Sequence, residues 1–356
     1  MRSERFGLSG RVIAVVLLGM GAGCGQARSS ADATAATAQA TAESTTPNAT
    51  PPRVVEAAKV LDLRELELVP GSEEPGGRSV ARLVYQPKGK PREAFDFHKK
   101  QLEAQKWSEA PGGTATEESV SGTFLRDGYV LSLSASSSGG DKPVTMVFAA
   151  NHGNLSLQTL PKPENSEVLY EFPVSIAYVT PEPADATAAN VDKALQAAGW
   201  ETYGQAGDTR FYRQNAIRLL TTIGAAPAQD GKTVVTYFTE LLSAELPAPT
   251  DAKQLQYSEP PVQLAVDYAG DLAAADAWYR ERLGKMGWKP TTENPVKQGF
   301  EHFVIYRNEP GEMLEINFRE IDDFTRLTLR FTTAEEFAEM EKRWEEQEKK
   351  AEVDNK

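Results

Sequence analysis

The sequence predicts an α+β protein of three tandem modules, each with the order strand, helix and three strands. A tryptophan recurs at intervals of about 90 residues, and each follows a leucine by five positions: Leu102 and Trp107, Leu195 and Trp200, Leu283 and Trp288. Each pair ends a helical pattern, and apolar–polar alternation around a turn follows it. Self-similarity at a fixed period is the mark of a repeat architecture.

The three predicted helices have plausible ends. Pro91 suits the first helical turn, because proline has no N–H to leave unpaired there, and Asp271 suits an N-cap. Gly199 and Gly287, each directly before a Trp, suit a helix C-terminus, where glycine adopts the left-handed conformation at little cost. One helix is therefore expected to lie across each sheet.

Each predicted helix is followed by a hairpin, and the hairpin turns begin after Arg126, Arg213 and Arg307. Alternation on both sides of these turns predicts antiparallel strands with one buried face. A further strand precedes each helix and another closes each module. The sequences before the helices are VARLVYQ, VSIAYV and VQLAVDY, and those at the ends are VTMVF, VVTYF and LTLRF.

We expect the modules to span residues 54–153, 154–243 and 244–332, each with a core of its own. Residues 333–356 predict a charged amphipathic helix and tail. Thr333 and Glu336 form a capping box, and the apolar face carries Phe337, Met340 and Trp344. We expect this helix to dock on the third module, with a coiled-coil partner helix as the alternative.

Two repeated residue types allow a functional interpretation beside a structural one. The three tryptophans could form a ligand platform, but we favour core anchors, since a Trp at a helix exit packs on the Leu before it. The repeated Arg before each turn could recognise an anion. We favour a solvated edge-strand residue that discourages strand pairing with other chains.

The N-terminus has the layout of a secretory signal. Arg2, Arg5 and Arg11 make it basic, residues 12–20 form a short apolar run, and small residues lead to Cys24. Cys24 is the one cysteine of the 356-residue chain. The alternative is an ordinary secretory signal with an incidental cysteine, although exported proteins tend to avoid a lone free thiol.

The stretch GAGC at residues 21–24 resembles the lipobox of bacterial lipoproteins, although leucine is commoner where Gly21 stands. The resemblance implies that residues 1–23 are a signal peptide and that Cys24 is the lipidation site, becoming an acylated N-terminus. Two or three acyl chains hold a protein firmly on a membrane, whereas one holds it only marginally.

Residues 24–53 are nearly all Ala, Thr, Ser and Pro. Such a segment buries too little apolar surface to order itself, so we predict a disordered tether behind the lipidated cysteine. A flexible chain of this length has a mean reach of about 30 Å. The alternative is an Ala-rich helix, which the threonines and the flanking prolines disfavour.

Composition and motifs exclude several functions. The net charge of −13 argues against nucleic acid as a partner, because phosphate binding needs clustered Lys and Arg. We find no catalytic signature, no cofactor-binding motif and no metal-ligand spacing. His98, His152 and His302 stand in different contexts, and we interpret them as surface or interface residues. Enzyme activity is therefore not expected, although scattered catalytic residues would leave no motif.

The pattern of strand, helix ending in GW, hairpin and last strand resembles small α+β modules of bacterial lipoproteins of unknown function. That resemblance implies an envelope location and no known activity. We expect a non-enzymatic, membrane-anchored lipoprotein that binds an envelope protein or cell-wall partner, or acts as a spacer. In a cell with two membranes, Gly25 after the cysteine favours the outer membrane facing the periplasm. The alternative is a ligand-binding or enzymatic lipoprotein with a pocket between modules, lined by converging polar side chains.

Overall fold

The computed structural model describes residues 50–73, 78–139 and 143–354. Over these residues the chain is a mixed α+β protein with three antiparallel sheets and five α-helices. The described residues belong to one compact unit. The predicted signal peptide at 1–23, Cys24 and the tether up to residue 49 lie outside the described residues.

Four of the five helices correspond to predicted ones. Pro91 lies in the first turn of its helix, and the Asp271 side chain accepts a 2.8 Å hydrogen bond from the Ala274 N–H, so both predicted helix starts are confirmed. Thr333 and Glu336 form the predicted capping box. The helices are α1 (Val54–Val60), α2 (Pro91–Ala104), α3 (Ala184–Ala197), α4 (Leu272–Lys285) and α5 (Ala334–Asp354).

The first sheet has the strand order β1-β6-β5-β4-β2, with β3 also paired to β4. Helix α2 packs against β4, β5 and β6, and buries Phe95 and Leu102. The strands are β1 (Arg82–Tyr85), β2 (Ser108–Glu109), β3 (Thr114–Ala115), β4 (Ser119–Arg126), β5 (Tyr129–Ser137) and β6 (Thr145–Asn151).

The second sheet has the order β7-β8-β12-β11-β10-β9, and α3 packs on β9, β11 and β12. Its helix buries Val191 and Leu195. The strands are β7 (Glu167–Phe172), β8 (Ser175–Thr180), β9 (Glu201–Ala206), β10 (Thr209–Gln214), β11 (Ile217–Ala225) and β12 (Thr233–Leu241).

The third sheet has the order β13-β14-β19-β18-β17-β15, with β16 also paired to β17. Helix α4 packs on β15 and β18, and buries Tyr279 and Leu283. The strands are β13 (Lys253–Ser258), β14 (Gln263–Tyr268), β15 (Lys289–Pro290), β16 (Val296–Gln298), β17 (Glu301–Arg307), β18 (Met313–Ile321) and β19 (Phe324–Thr332).

The four strands predicted for each module are present and follow one order in all three sheets. The orders are β1-β6-β5-β4, β8-β12-β11-β10 and β14-β19-β18-β17, and every pairing in them is antiparallel. The sheets nevertheless have six, six and seven strands rather than four. Of the extra strands, β2, β3, β15 and β16 have only two or three residues and β7 is fully exposed, so none of these five shows apolar alternation.

The recurring Leu and Trp mark one helix-ending motif. The Trp N–H donates to the carbonyl of the Leu five residues earlier, at 2.9 Å for Trp107 and at 3.0 Å for Trp200 and Trp288. This is the six-to-one bond of a Schellman motif, which brings the two apolar side chains together. The three tryptophans are 2%, 4% and 9% exposed, so the prediction of core anchors is confirmed.

The residue before each Trp must adopt the left-handed conformation. Gly199 and Gly287 do so with φ of +87°, and Lys106 does so with φ of 68°. A non-glycine residue in this region costs about 1–2 kcal/mol, because its Cβ approaches the backbone carbonyl. The first of the three motifs is therefore strained where the other two are not.

The Lys106 site yields a stability prediction. Lys106→Gly should raise the free energy of unfolding by about 1 kcal/mol, since glycine relieves the left-handed strain. Gly287→Ala should lower it by about 1 kcal/mol, because a Cβ at Gly287 meets no atom within 4 Å and only the backbone term changes. Urea unfolding measures both. A destabilising Lys106→Gly would contradict the assignment of the motif.

The predicted hairpins join β4 to β5, β10 to β11 and β17 to β18. In the first, Asp127 and Gly128 have φ of 51° and 81°, as a tight hairpin turn requires. In the second, Asn215 has φ of 52°. The third uses the longer turn predicted after Arg307.

The last residues of the predicted tether are part of the fold. Pro51 and Pro52 are buried, and their carbonyl groups accept hydrogen bonds from the Asn215 side chain at 2.7 Å and from the Ala216 N–H at 3.0 Å. Ordered structure therefore begins before the predicted boundary at residue 54. Helix α1 follows directly; it was not predicted because its seven residues are too few to show a period.

The three sheets share their cores, which corrects the expectation of separate cores. One apolar cluster runs through the first and second sheets, and the cluster of the third sheet includes Tyr203 and Phe211 of the second. Gly153, after β6, lies so close to Ile217 that a Cβ there would stand 2.1 Å from its Cδ1. The segments that connect neighbouring sheets are too short to hold their apolar surfaces apart.

The C-terminal helix begins on the third sheet. The guanidinium carbon of Arg307 lies 3.4 Å from the centre of the Phe337 ring. Trp344, further along the same face, is 51% exposed and its ring lies 6.4 Å from that of Phe337. The predicted apolar face therefore contacts the sheet at its first turn and reaches solvent by its third.

Candidate functional site

A cleft of about 670 Å³ lies between the second and third sheets. The residues that connect the two sheets, 243–247, form its floor, and the ends of β10 and α4 form its sides. Val54 and Val55 of α1 close one end. We call this cavity the inter-sheet cleft.

One wall of the inter-sheet cleft is apolar. It is positioned by the Schellman motif of α4, which turns the chain so that Trp288 packs back on Leu283. The Trp288 ring lies 6.4 Å from that of Phe331 in an edge-to-face arrangement. The wall consists of Leu246, Leu283, Met286, Trp288, Leu314 and Phe331.

The rim of the inter-sheet cleft is charged, and its charges are paired within the chain. Arg53 donates to Glu245 at 2.9 Å, which raises the pKa of Arg53. Glu201 lies 3.1 Å from Arg282 and 3.8 Å from Arg213. The Arg53 pair connects the start of α1 to the segment 243–247, and the Arg282 pair connects α4 to β9 of the second sheet, so the rim holds the sides of the cleft together.

The three repeated arginines have unequal environments. Arg213 is buried, donates to the Leu246 carbonyl at 2.9 Å and stacks on Tyr203 with its guanidinium carbon 5.1 Å from the ring centre. Arg307 stacks on α5, whereas Arg126 is half exposed and pairs with Asp127. All three lie on inner strands, so the expectation of solvated edge-strand residues is wrong. Arg213 is a structural residue of the cleft floor.

A second, smaller cavity of about 350 Å³ lies on the other side of α1, toward α5. Val54 and Val55 line both cavities, so α1 stands between them. Charged side chains of both signs surround the smaller one: Arg64, Arg78, Arg330, Arg343, Glu312, Glu336 and Glu339. Val55 is 68% exposed at this position, so α1 presents an apolar side chain to solvent between the two cavities.

A buried ionic cluster joins all three sheets next to the cleft. Arg82 of β1 lies 2.7 Å from Glu240 of β12 and 3.5 Å from Glu259, which follows β13. Arg218 of β11 donates through Nε to the same Glu240 at 3.0 Å. The Tyr257 ring lies 5.2 Å from the guanidinium carbon of Arg218. We call these five residues the junction network.

The two carboxylates of the junction network differ in their electrostatic environment. Burial alone raises the pKa of Glu240, but the guanidinium groups of Arg218 and Arg82 outweigh it and hold that pKa below its ordinary value. At Glu259 burial dominates and raises the pKa, against a hydrogen bond from Ser243 and the charge of Arg82. Glu240 is therefore the carboxylate that is held ionised.

Two of the three histidines have structural roles. His98 is fully buried with Nε2 2.6 Å from the Tyr85 hydroxyl, so its predicted surface or interface position is wrong, and burial lowers its pKa to about 4. His152 lies 2.9 Å from the Thr239 carbonyl across the first and second sheets, an interface position as predicted. His302 lies partly exposed on β17.

Ser132 and His152 have the spacing of a nucleophile and its base. The Ser132 hydroxyl lies 2.9 Å from Nε2 of His152, while Nδ1 faces the Thr239 carbonyl. Neither residue lines either of the two cavities. The pair therefore has no substrate-sized space beside it there, and we assign it to the interface between the sheets.

Among the described residues, no group of three or more His, Cys, Asp or Glu side chains could hold a metal ion. The one site residue proposed from sequence, Cys24, lies outside the described residues, as does the predicted signal peptide. Sequence reasoning gave a pocket between modules only as the alternative and named none of the residues of the inter-sheet cleft. Its lining comes from segments as far apart as residues 53 and 331, and no local pattern connects them.

No family model, curated protein or solved structure matches this chain. None of the helices in the described part of the chain has the length and apolar character needed to cross a bilayer.

The buried His98 makes stability depend on pH. Its folded-state pKa of about 4 lies below the ordinary value of 6.5, so its contribution is complete above pH 6.5 and is lost as the pH falls toward 4. The unfolding free energy of the wild type, relative to His98→Gln, should therefore drop by about 3 kcal/mol from pH 7.5 to pH 4. Urea unfolding at both pH values measures it.

The control for this measurement is His302→Gln, which removes a partly exposed imidazole on β17. An equal change of pH dependence in the two variants would show that burial of His98 is not its cause.

Proposed function

We propose that the protein is a membrane-anchored envelope lipoprotein that binds a partner in the inter-sheet cleft and catalyses no reaction. The observation that carries the binding role is the cleft itself. Its volume of about 670 Å³ lies in the range of ligand sites, and it joins an apolar wall to a polar rim. The GAGC sequence before the tether supports the anchor at Cys24.

The charges of the cleft favour binding over catalysis. Glu201, Glu245, Arg213 and Arg282 are all engaged with one another or with neighbouring residues. A general acid or base needs a titratable group aimed at the substrate, and these groups are aimed at each other. In a recognition site, a polar rim orients the ligand and an apolar surface supplies the affinity for it. The inter-sheet cleft has both features.

The chemistry of the cleft selects an amphipathic ligand. Met286 contributes a polarizable thioether to the cleft and Trp288 an aromatic ring. The rim carries both positive and negative side chains. A segment of an envelope protein fits this combination, and a cell-wall fragment or small amphipathic molecule is the second candidate. Nucleic acid is disfavoured by the net charge of −13.

We infer that the three sheets are tandem copies of one strand–helix–three-strand unit. Support comes from the common order of four strands and from the repeated Leu–Trp bond at the helix end. The cleft then lies between two copies, where docking of repeats creates a surface that no single copy has. For the whole protein we propose a cell-envelope location, on the outer membrane facing the periplasm in a cell with two membranes.

The anchor predicts the fate of one variant. Cys24→Ser should release the protein from membranes and abolish its acylation, because serine has no thiol to accept the lipid. Flotation of cell membranes and incorporation of labelled palmitate measure the two effects. A serine variant that floats and takes up label as the wild type does would refute the lipoprotein assignment.

The binding role predicts a position-dependent cross-link. A photo-cross-linking amino acid at Met286, inside the cleft, should give a discrete adduct in intact cells. The same amino acid at Lys193, exposed on α3, should not. Mass spectrometry of the adduct separates a protein partner from a small molecule.

Identical products at the two positions, or none at Met286, would contradict binding in the cleft. The adducts formed at each position are compared with those in an unirradiated sample of the same variant. The Cys24→Ser background shows whether the ligand is reached only at the membrane.

A further inference from the structure

Strand β7 is an unpaired and apolar edge of the second sheet. It pairs with β8 on one side, with a bulge between Val168 and Tyr170, and ends the order of the sheet on the other. All six of its residues are exposed, and four of them are large and apolar: Val168 at 49%, Leu169 at 40%, Tyr170 at 36% and Phe172 at 62%. An edge of this kind offers free backbone N–H and C=O groups to another strand.

The corresponding strand of the third sheet is covered. Strand β13 precedes β14 as β7 precedes β8, and β9 of the second sheet packs against it. The Gln205 N–H donates to the Ala252 carbonyl at 3.1 Å, and Leu255 of β13 is 2% exposed. The edge strand at this position is therefore covered by a neighbouring strand in the third sheet and is uncovered in the second sheet.

We propose that β7 binds an extended segment of a partner protein by strand addition, and that this segment carries both basic and apolar residues. The backbone groups of the edge would supply the hydrogen bonds, and Val168, Tyr170 and Phe172 the apolar contacts. The charge comes from Glu164, Glu167 and Glu171, in a stretch from 163 to 175 that has no Lys or Arg. This surface is separate from the inter-sheet cleft and does not depend on it.

Charge also disfavours a second copy of this chain as the occupant. Glu167 and Glu171 stand near opposite ends of β7, so antiparallel pairing of two copies would bring Glu167 of one toward Glu171 of the other. Like charges directly opposite each other destabilise a strand pair. Each chain also has a net charge of −13, which adds repulsion between copies.

The test uses a fluorescent ten-residue peptide of alternating Lys and Val as the probe, with the full chain in detergent micelles. Fluorescence anisotropy measures its dissociation constant. Phe172→Lys, which places a positive charge on the edge, should weaken binding at least about tenfold. Val296→Lys, which adds the same charge at a 41% exposed position on β16, is the matched control and should leave binding unchanged.

Two further probes separate strand addition from general attraction to an acidic protein. A peptide with proline at two central positions should bind much more weakly, because proline has no N–H to donate. A peptide of the same composition with five Lys followed by five Val should also bind more weakly, since its apolar residues can then lie along only part of the edge. On binding, residues 167–172 should gain protection from hydrogen exchange.

The proposal is overturned if Phe172→Lys and Val296→Lys weaken binding equally, or if the proline peptide binds as well as the alternating one. It is also overturned if the chain alone forms a dimer in sedimentation that Phe172→Lys dissociates, since the occupant is then a second copy. A negative cross-linking result at the inter-sheet cleft would not change the interpretation of these peptide-binding experiments.

Discussion

The buried carboxylate of Glu240 is the constraint on which the arrangement of the three sheets depends. A buried charge without partners costs several kcal/mol, and Glu240 obtains its partners from two sheets: Arg218 from its own and Arg82 from the first. Arg82 in turn faces Glu259, at the exit of β13 in the third sheet. Glu240 has both partners only when the first and second sheets are in place, and Arg82 also faces the exit of β13, so the junction network helps to specify the relative position of the three sheets.

That position makes the floor of the inter-sheet cleft rigid. Side chains from both sheets hold the connection at residues 243–247. Tyr203 and Arg213 both donate to the Leu246 carbonyl, and Tyr279 donates to the Pro247 carbonyl at 3.3 Å. At the other end, the Ser243 hydroxyl accepts from the Ala81 N–H of the first sheet at 2.9 Å. A connector fixed in this way gives the cleft a preformed shape, which lowers the entropic cost of binding.

Local chemistry made much of the fold predictable from sequence. The Leu–Trp spacing follows from one hydrogen bond at a helix end, and Asp271 and Thr333 cap helices through their own side chains. The cleft and the junction network were not predictable, because Arg82 and Glu240 are 158 positions apart and neither lies in a motif. Strand β7 was missed for another reason: exposed on both faces, it shows no alternation.

Three sheets that share one order of four strands therefore acquire distinct surfaces through two different ways of docking. The first sheet meets the second through Gly153, packed on Ile217, and through His152, bonded to Thr239. The second sheet meets the third through the edges of β9 and β13. Only the second kind of contact covers an edge strand. Because the first kind does not, β7 remains open although its equivalent in the next sheet is closed. Identical units joined in identical ways would have left no such difference between their edges.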